Sequence, residues 1–418
     1  MNRTFNVTTA LGPDTLRFDA LRGREEVSRL FTFTLTLKSE QRDLDPDSVL
    51  GTPMTLDIEL PGGAKRYLNG QCTRFALVGK KGRHFLYEAE LTPWLWYATR
   101  RSDYQVFQNM TAPDMVKKVL APYPFETRFV LSRSYRTWDY CVQYRETDAN
   151  FVMRMLEHEG IWFWFEHSAG EHALVITDDI GLTSPFPGYE SIPYFSPDQT
   201  YPDQDHLDSW STGGKLKPGK YSARDYNFKT PTAELLTQRA NPADHAFGSY
   251  DIFDYPGGYP SIGEGDPYAR VRLEELQTTQ RRGHAGGRAR GLAPGRLFSL
   301  ERHPAAAQNR EYLVIAADYR FRDNDYESNA SADSLELHTV METHPSDQPF
   351  RPRRDTPKPQ TQGPDTAVVT GPPGQEIYTN EHGQVKISFP WNRYCSKDHN
   401  SSCWVRVSHP WAGAGFGG

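Results

Sequence analysis

At 418 residues the chain is too long for one ordinary core, and two to four domains are expected. Hydrophobic residues make up 37%, and no run approaches the ~18 apolar residues that a spanning helix needs, which argues against a membrane protein. A net charge of −6 and a pI near 6.1 supply no global basic field to attract nucleic acid.

The opening stretch, MNRTFNVTTALGPD, has no apolar h-region, so no secretory signal is expected there. Residues 1–100 read as mostly β. Phe31 to Leu37 alternates apolar residues with Thr, the pattern of a half-buried strand, and Met54 to Leu60 alternates as well. Pro61, Gly62 and Gly63 then turn the chain. Short strands joined by turns suggest a barrel or sandwich. Glu25 and Glu26 could be read as paired catalytic carboxylates, but neighbours on a strand face opposite ways, so a structural role is favoured.

Thr111 opens a helix, with Asp114 completing a box-like cap and Met115, Val116, Val119 and Leu120 forming its apolar face. Pro122 and Pro124 stop it. The most informative stretch, YRETDANFVMRMLEHEGIWFWFEH, runs from Tyr144 to His167. Thr147 or Asp148 can cap a helix there, Phe151, Val152, Met155 and Leu156 share one face, and Gly160 suits a left-handed end. Ile161 to Phe165 has no polar break, so the strand is expected to be covered on both faces. His158, between Glu157 and Glu159, lacks the second His of a zinc helix, and a core helix on a core strand is the plainer reading.

This helix, EGI turn, aromatic strand and Glu-His ending closely resemble the signature of the VgrG proteins, the spike proteins of bacterial type VI secretion, which are related to contractile phage tail hubs and spikes. The blocks RGREEVSRLFTF, LGTPMTLDI and YEAELTPWLWYATRRSDYQVFQ fit the same resemblance.

Farther along, Asp203, Asp205, His206 and Asp208 form an acidic cluster that reads as solvated loop charge rather than a metal site. DIFDYPGGYPSIGEGDPYARVRLEELQ is again similar to the family. Asp266 is expected to cap a helix with Pro267 at its first position, ending near Gly283. Arg281, Arg282, Arg288 and Arg290 form a basic segment without a P-loop or interleaved aromatics, and a solvated or subunit-facing patch is favoured. Proline density from Thr343 to Pro364 marks an extended, semi-rigid linker. Beyond it, strands are expected at Ala367 to Thr370, Glu376 to Thr379, Gln384 to Phe389 and Cys403 to Ser408, with Val385, Ile387 and Phe389 inward. TGPPGQEIYTNEHGQVKISFPWNR and SSCWVRVSHPWAG resemble the family's spike base, with Asn380, Asn392 and Gln384 departing from its usual residues. Gly413 to Gly418 formally spells a dinucleotide fingerprint but lacks the strand-turn-helix setting. Among Cys72, Cys141, Cys395 and Cys403, only the last two are close in sequence, and free thiols are favoured.

The resulting expectation is a mainly β protein with an α+β insertion: two related hub barrels plus an incomplete OB-type barrel. The segments are a first hub barrel over 1–111, an insertion over 112–230, a second hub barrel over 231–343, a linker over 344–365 and part of an OB-type domain over 366–418. The resemblance implies a homotrimer at the tip of the secretion tube. Its partners would be a ring of the tube protein Hcp, a PAAR-type tip protein, an effector and baseplate components. It implies assembly in the bacterial cytoplasm and export by the type VI machine without a signal peptide. The family's C-terminal needle is not found in the sequence. No catalytic, cofactor or metal residues are assigned, since G-x-S-x-G, H-E-x-x-H and a credible Cys–His pair are missing. The alternatives are a phage-type tail hub, or a spike-borne hydrolase whose catalytic domain lies elsewhere.

Overall fold

The computed structural model describes residues 4–198, 204–323 and 335–408. Asp203 and the Gly413–Gly418 string lie outside the described residues. In chain order the first strands are β1 (Phe5–Thr8), β2 (Arg17–Glu26), β3 (Thr32–Ser39), β4 (Pro53–Glu59), β5 (Lys65–Lys81), β6 (His84–Thr92), β7 (Ser102–Phe107) and β8 (Met110–Thr111). Helix α1 (Ala112–Leu120) precedes β9 (Thr127–Val130), β10 (Thr137–Trp138), β11 (Cys141–Thr147) and helix α2 (Asp148–Glu159). Then come β12 (Trp162–His167), β13 (His172–Thr177), β14 (Ser191–Pro193), β15 (His206–Gly214), β16 (Lys220–Arg224), β17 (Leu236–Ala240), β18 (Asp251–Asp254) and helix α3 (Ile262–Gln277). The last strands are β19 (Arg281–Arg288), β20 (Leu297–Glu301), β21 (Glu311–Asp323), β22 (Leu335–Pro345), β23 (Val368–Thr370) and β24 (Lys386–Ser388).

The protein is mainly β and folds as two compact units. One gathers Met1–Trp96, Phe125–Arg133 and Glu159–Arg353; the other gathers Tyr97–Pro124, Ser134–His158 and Arg354–Gly418. The first unit is built on a 12-stranded sheet whose main path runs β1-β4-β5-β6-β3-β2-β21-β22-β19-β15. The antiparallel pairing of β2 with β21, Gly23 opposite Tyr319 and Glu25 opposite Ala317, joins early strands to late ones. In β3 the alternation expected from sequence holds: Phe33, Leu35 and Leu37 are buried, while the threonines between them are not. A smaller sheet, β17-β16-β18, packs on α3 through Tyr221, Tyr259, Tyr268 and Leu273.

β12 pairs with β13, which pairs in turn with β9. Trp162 and Trp164 enter a cluster with Val175, Leu313, Ile315 and Phe350, while Phe165 meets the edge of Phe31 at 5.2 Å on the other side. Both faces are therefore covered, as the unbroken apolar run requires. Gly160, at φ +68°, provides the left-handed turn into this strand. A Cβ at Gly160 would come within 2.6 Å of Val271 Cγ1, so close packing demands glycine as well as the dihedral.

In the second unit Thr111 caps α1 by accepting the Asp114 N–H, and Met115, Val116, Val119 and Leu120 are buried. The Thr147 hydroxyl accepts the Asn150 N–H at 3.1 Å, making Thr147 the capping side chain of α2. Phe107 stacks on Phe151 at 4.9 Å. The C-terminal stretch docks within this unit. Arg393 and the Tyr394 hydroxyl each donate to Asp103 at 2.6 Å, and the Trp391 ring lies 5.5 Å from Tyr104 and 5.8 Å from Tyr144. The Pro-rich stretch is non-helical and is anchored on its way: the Thr356 N–H and hydroxyl both donate to Glu157, and Asn150 donates to the Pro357 carbonyl.

Several local expectations are corrected. Helix α3 begins after Ser261, so Asp266 does not cap it and Pro267 lies inside it. Gly265 lets the first turns approach Tyr259 and Thr237 too closely for any Cβ, which favours the earlier start over the proline signal. The helix ends at Gln277 and β19 starts at Arg281, ahead of the expected end near Gly283. Beyond residue 370, the strands expected at Glu376 to Thr379 and Cys403 to Ser408 survive only as isolated bridges, Thr379 to Val385 and Val385 to Val405. In that region Gln384 and Ser388 are buried, whereas Val385, Ile387 and Phe389 are only half-buried. The polar residues go inward because they have partners: Gln384 donates to the Trp404 carbonyl at 3.4 Å and shares 2.7 Å with the Asn380 amide. All four cysteines are free thiols.

Candidate functional site

The chemically richest cluster lies on the seam where β2 meets β21. Inward positions on these strands carry polar side chains, so the seam must satisfy them internally. Glu25 is 2% exposed and Arg66, from β5, equally so. The Arg66 guanidinium donates to the carbonyls of Arg290 at 2.5 Å and Leu292 at 3.0 Å, and to the Tyr319 hydroxyl at 2.6 Å. That hydroxyl donates to Glu25 at 3.2 Å, while the Arg66 and Glu25 charges stand 3.9 Å apart. Burial and the Glu25 charge push the Tyr319 phenol above its ordinary range.

Glu25 also faces His167 at the end of β12, with Oε1 3.2 Å from Nε2. His167 Nδ1 takes the Asn69 N–H at 3.1 Å. The Asn69 side-chain oxygen lies 2.7 Å from His172 Nδ1, and the Trp94 N–H donates to His172 Nε2 at 2.9 Å. One His172 nitrogen accepts and the other donates, so the ring is neutral. Burial, reinforced by His167, holds its pKa well below the usual histidine value.

A second charged pair continues the cluster. Arg290 donates its backbone N–H and guanidinium to Asp205 at 2.8–3.0 Å, and the Tyr189 hydroxyl donates to the same carboxylate at 2.5 Å. Arg290 also donates to the Glu59 carbonyl at 2.7 Å. Asp205 is therefore not the solvated loop charge expected from sequence, and His206 beside it is buried too. The basic segment divides as well. Arg281 is exposed, Arg282 is half-buried with its pKa lowered to about 10 by desolvation, and Arg290 is paired inside. Strand alternation on β19 and the partner at Asp205 separate four arginines that the sequence grouped together.

Glu26 points away from Glu25 and pairs with Arg24 at 2.9 Å, so the two carboxylates do not meet. Glu157 accepts from Thr356, and Glu159 accepts from the Tyr268 hydroxyl at 2.9 Å, so the acidic residues around His158 make structural hydrogen bonds. Among the described residues no cluster of three or more His, Cys, Asp or Glu is arranged to hold a metal ion. The Glu25–Arg66–Tyr319–His167 group contains acid–base chemistry but is closed. Its geometry fixes strands drawn from both ends of the chain. Sequence reading missed Arg66, Tyr319 and the Asp205–Arg290 pair; the available signal was charged residues at inward positions of otherwise alternating strands.

A family profile described as "Phage tail baseplate hub (GPD)" matches residues 24–325. The chain is similar to the "Type VI secretion system spike protein VgrG1c" of Pseudomonas aeruginosa, 42% identical over 416 residues that cover 99% of this chain and 57% of that protein. VgrG1a of the same organism is 40% identical over 418 residues, covering 100% of this chain and 65% of that protein. The chain thus spans less than two thirds of the length of these relatives. Among solved structures, the E. coli c3393 protein, described as a type VI secretion component with structural similarity to the T4 tail proteins gp27 and gp5, aligns with a TM-score of 0.66 at 21% identity, covering 96% of this chain and 93% of that one. The 43 kDa tail protein of prophage MuSo2 from Shewanella oneidensis aligns at 0.57 and 10% identity, covering 82% and 98%. At such identities the likeness is one of fold.

Proposed function

The chain belongs to the phage tail baseplate hub family, and from that premise we propose that it is the hub of a type VI secretion spike, working mechanically rather than as an enzyme. Three copies associate about an axis and cap a ring of the tube protein Hcp. A PAAR-type tip protein, an effector and baseplate components complete the assembly, which the type VI machine exports. In this reading residues 1–111 and 231–343 are the two related hub barrels, 112–230 the insertion, 344–365 the linker and 366–418 part of an OB-type spike base. Two barrels per subunit in a trimer present six similar surfaces, which suits a six-fold ring.

The observation that supports this most is the β2–β21 seam. It sets early and late strands side by side in one sheet, held by the buried Glu25–Arg66–Tyr319 group. Similarity to spike proteins over nearly the whole chain points the same way. Mixing the purified protein with assembled tube rings and imaging by electron microscopy tests the reading. Rings capped at one end by a three-fold density are expected. Rings left bare at saturating protein would overturn it.

A further inference from the structure

One exposed arginine of the basic segment opens onto a feature that the hub role does not use. Arg281 lines two neighbouring cavities. The first, about 280 Å³, lies between Thr212, Gly213 and Gly214 of β15 and the side chains of Gln308 and Arg310. The second, about 490 Å³, is bordered by Arg239, Asn241, Arg270, Gln280 and Gln348. They meet at Arg281 and form a groove with apolar walls, Leu273 and Tyr312 among them, and arginines along it.

The charge in this groove is poorly balanced. Arg239 and Arg281 are exposed, and neither has a carboxylate within ion-pairing distance among the described residues. Glu274 is engaged by Arg351 at 2.7 Å and reaches Arg270 only at 3.8 Å. Asp347, itself 64% exposed, approaches Arg310 at 3.4 Å, a weak surface pair. More cations stand nearby: Lys215 bonds the Gln280 carbonyl through its N–H, and Gln277 donates to the Pro218 carbonyl beside Lys217. Desolvation lowers the Lys217 pKa, with the Arg353 and Lys215 charges adding to it. This cationic groove sits on a chain whose net charge is −6.

The chemistry of the arginines sets what the groove can hold, since guanidinium forks match carboxylates.

We infer that this groove is a docking site for an acidic segment of a partner protein, its carboxylates on Arg239, Arg281 and Arg310. The amides of Gln280 and Gln348 border the same path and suit a peptide backbone.

Fluorescence anisotropy of a labelled peptide alternating Glu and Ser tests this on the whole chain. Binding is expected at low salt, with loss as salt rises and none for a twin carrying Gln in place of Glu. Arg239→Gln with Arg281→Gln should weaken binding about tenfold or more while leaving the melting temperature unchanged, since both side chains are exposed. The pair Arg22→Gln and Arg320→Gln, which removes the same charge from exposed positions elsewhere on the sheet, should leave binding intact. Equal binding of the Gln twin, or equal loss with the control pair, would overturn the site. Tighter binding of a charge-matched single-stranded oligonucleotide would overturn the assignment to an acidic protein segment.

Discussion

β12 and the stretch around β24 both show strong apolar patterns in sequence, yet the fold treats them in opposite ways. Trp162 and Phe163 of β12 are at most 1% exposed and lie between packed layers. Around β24 the polar Gln384 and Ser388 are inside, while Val368, Val369 and Ile377 stand 64%, 62% and 83% exposed. Alternation tells which residues share a face. What covers that face is decided by the elements the chain brings to it. β12 has β13 on its edge and aromatic clusters on both sides; β24 has only β23 as a paired strand among the described residues.

The comparison can be broken by mutation. Trp162→Ala or Phe163→Ala should destabilise the protein by about 3–5 kcal/mol, the usual result of emptying a large buried aromatic site. Denaturant titration measures this, and near-wild-type curves for both would mean the strand is not core. The polar seam comes next. Arg66→Met leaves Glu25 buried beside a tyrosine and without its guanidinium, which should cost about 3 kcal/mol. Adding Glu25→Gln should restore part of that stability, and a double variant worse than the sum of the singles would refute the pairing.

A pH titration sharpens the account of the same unit. His344 is lowered to about 3 by burial, with the Arg282 charge adding to the effect, and His172 is also depressed well below 6.5. Groups with depressed folded pKa values bind fewer protons folded than unfolded. Their contribution is complete above about pH 6.5 and is lost as pH falls toward the folded values. Melting temperature should therefore drop progressively below pH 6.5, and His344→Gln should flatten the slope. A flat profile from pH 7 to 4 would contradict the buried neutral rings. The smallest effect belongs to the exposed apolar residues: Val369→Ser and Ile377→Ser should each change stability by no more than about 0.5 kcal/mol in the isolated chain.

Much of this was legible because it is local. The cap at Thr111, the face of α1, the turn at Gly160 and the alternation of β3 each depend on residues within a turn or a strand of one another. What escaped depends on distance or competition. Asp205 and Arg290 are partners across 85 positions, and Arg66 reaches Tyr319 across 253. No periodicity encodes such pairs. Pro267 is a strong start signal, yet it lies within α3 because Gly265 before it allows a close approach that proline position alone does not disclose. The acidic cluster was misjudged for the same reason: its solvation depended on Arg290 and Tyr189, which sequence spacing does not place beside it.

The proposed three-fold association of the hub is open to direct measurement. Multi-angle light scattering over a concentration series tests it most directly. The expected mass climbs from 47.7 kDa toward three times that value and returns on dilution. A mass fixed at 47.7 kDa up to the highest concentration would contradict it.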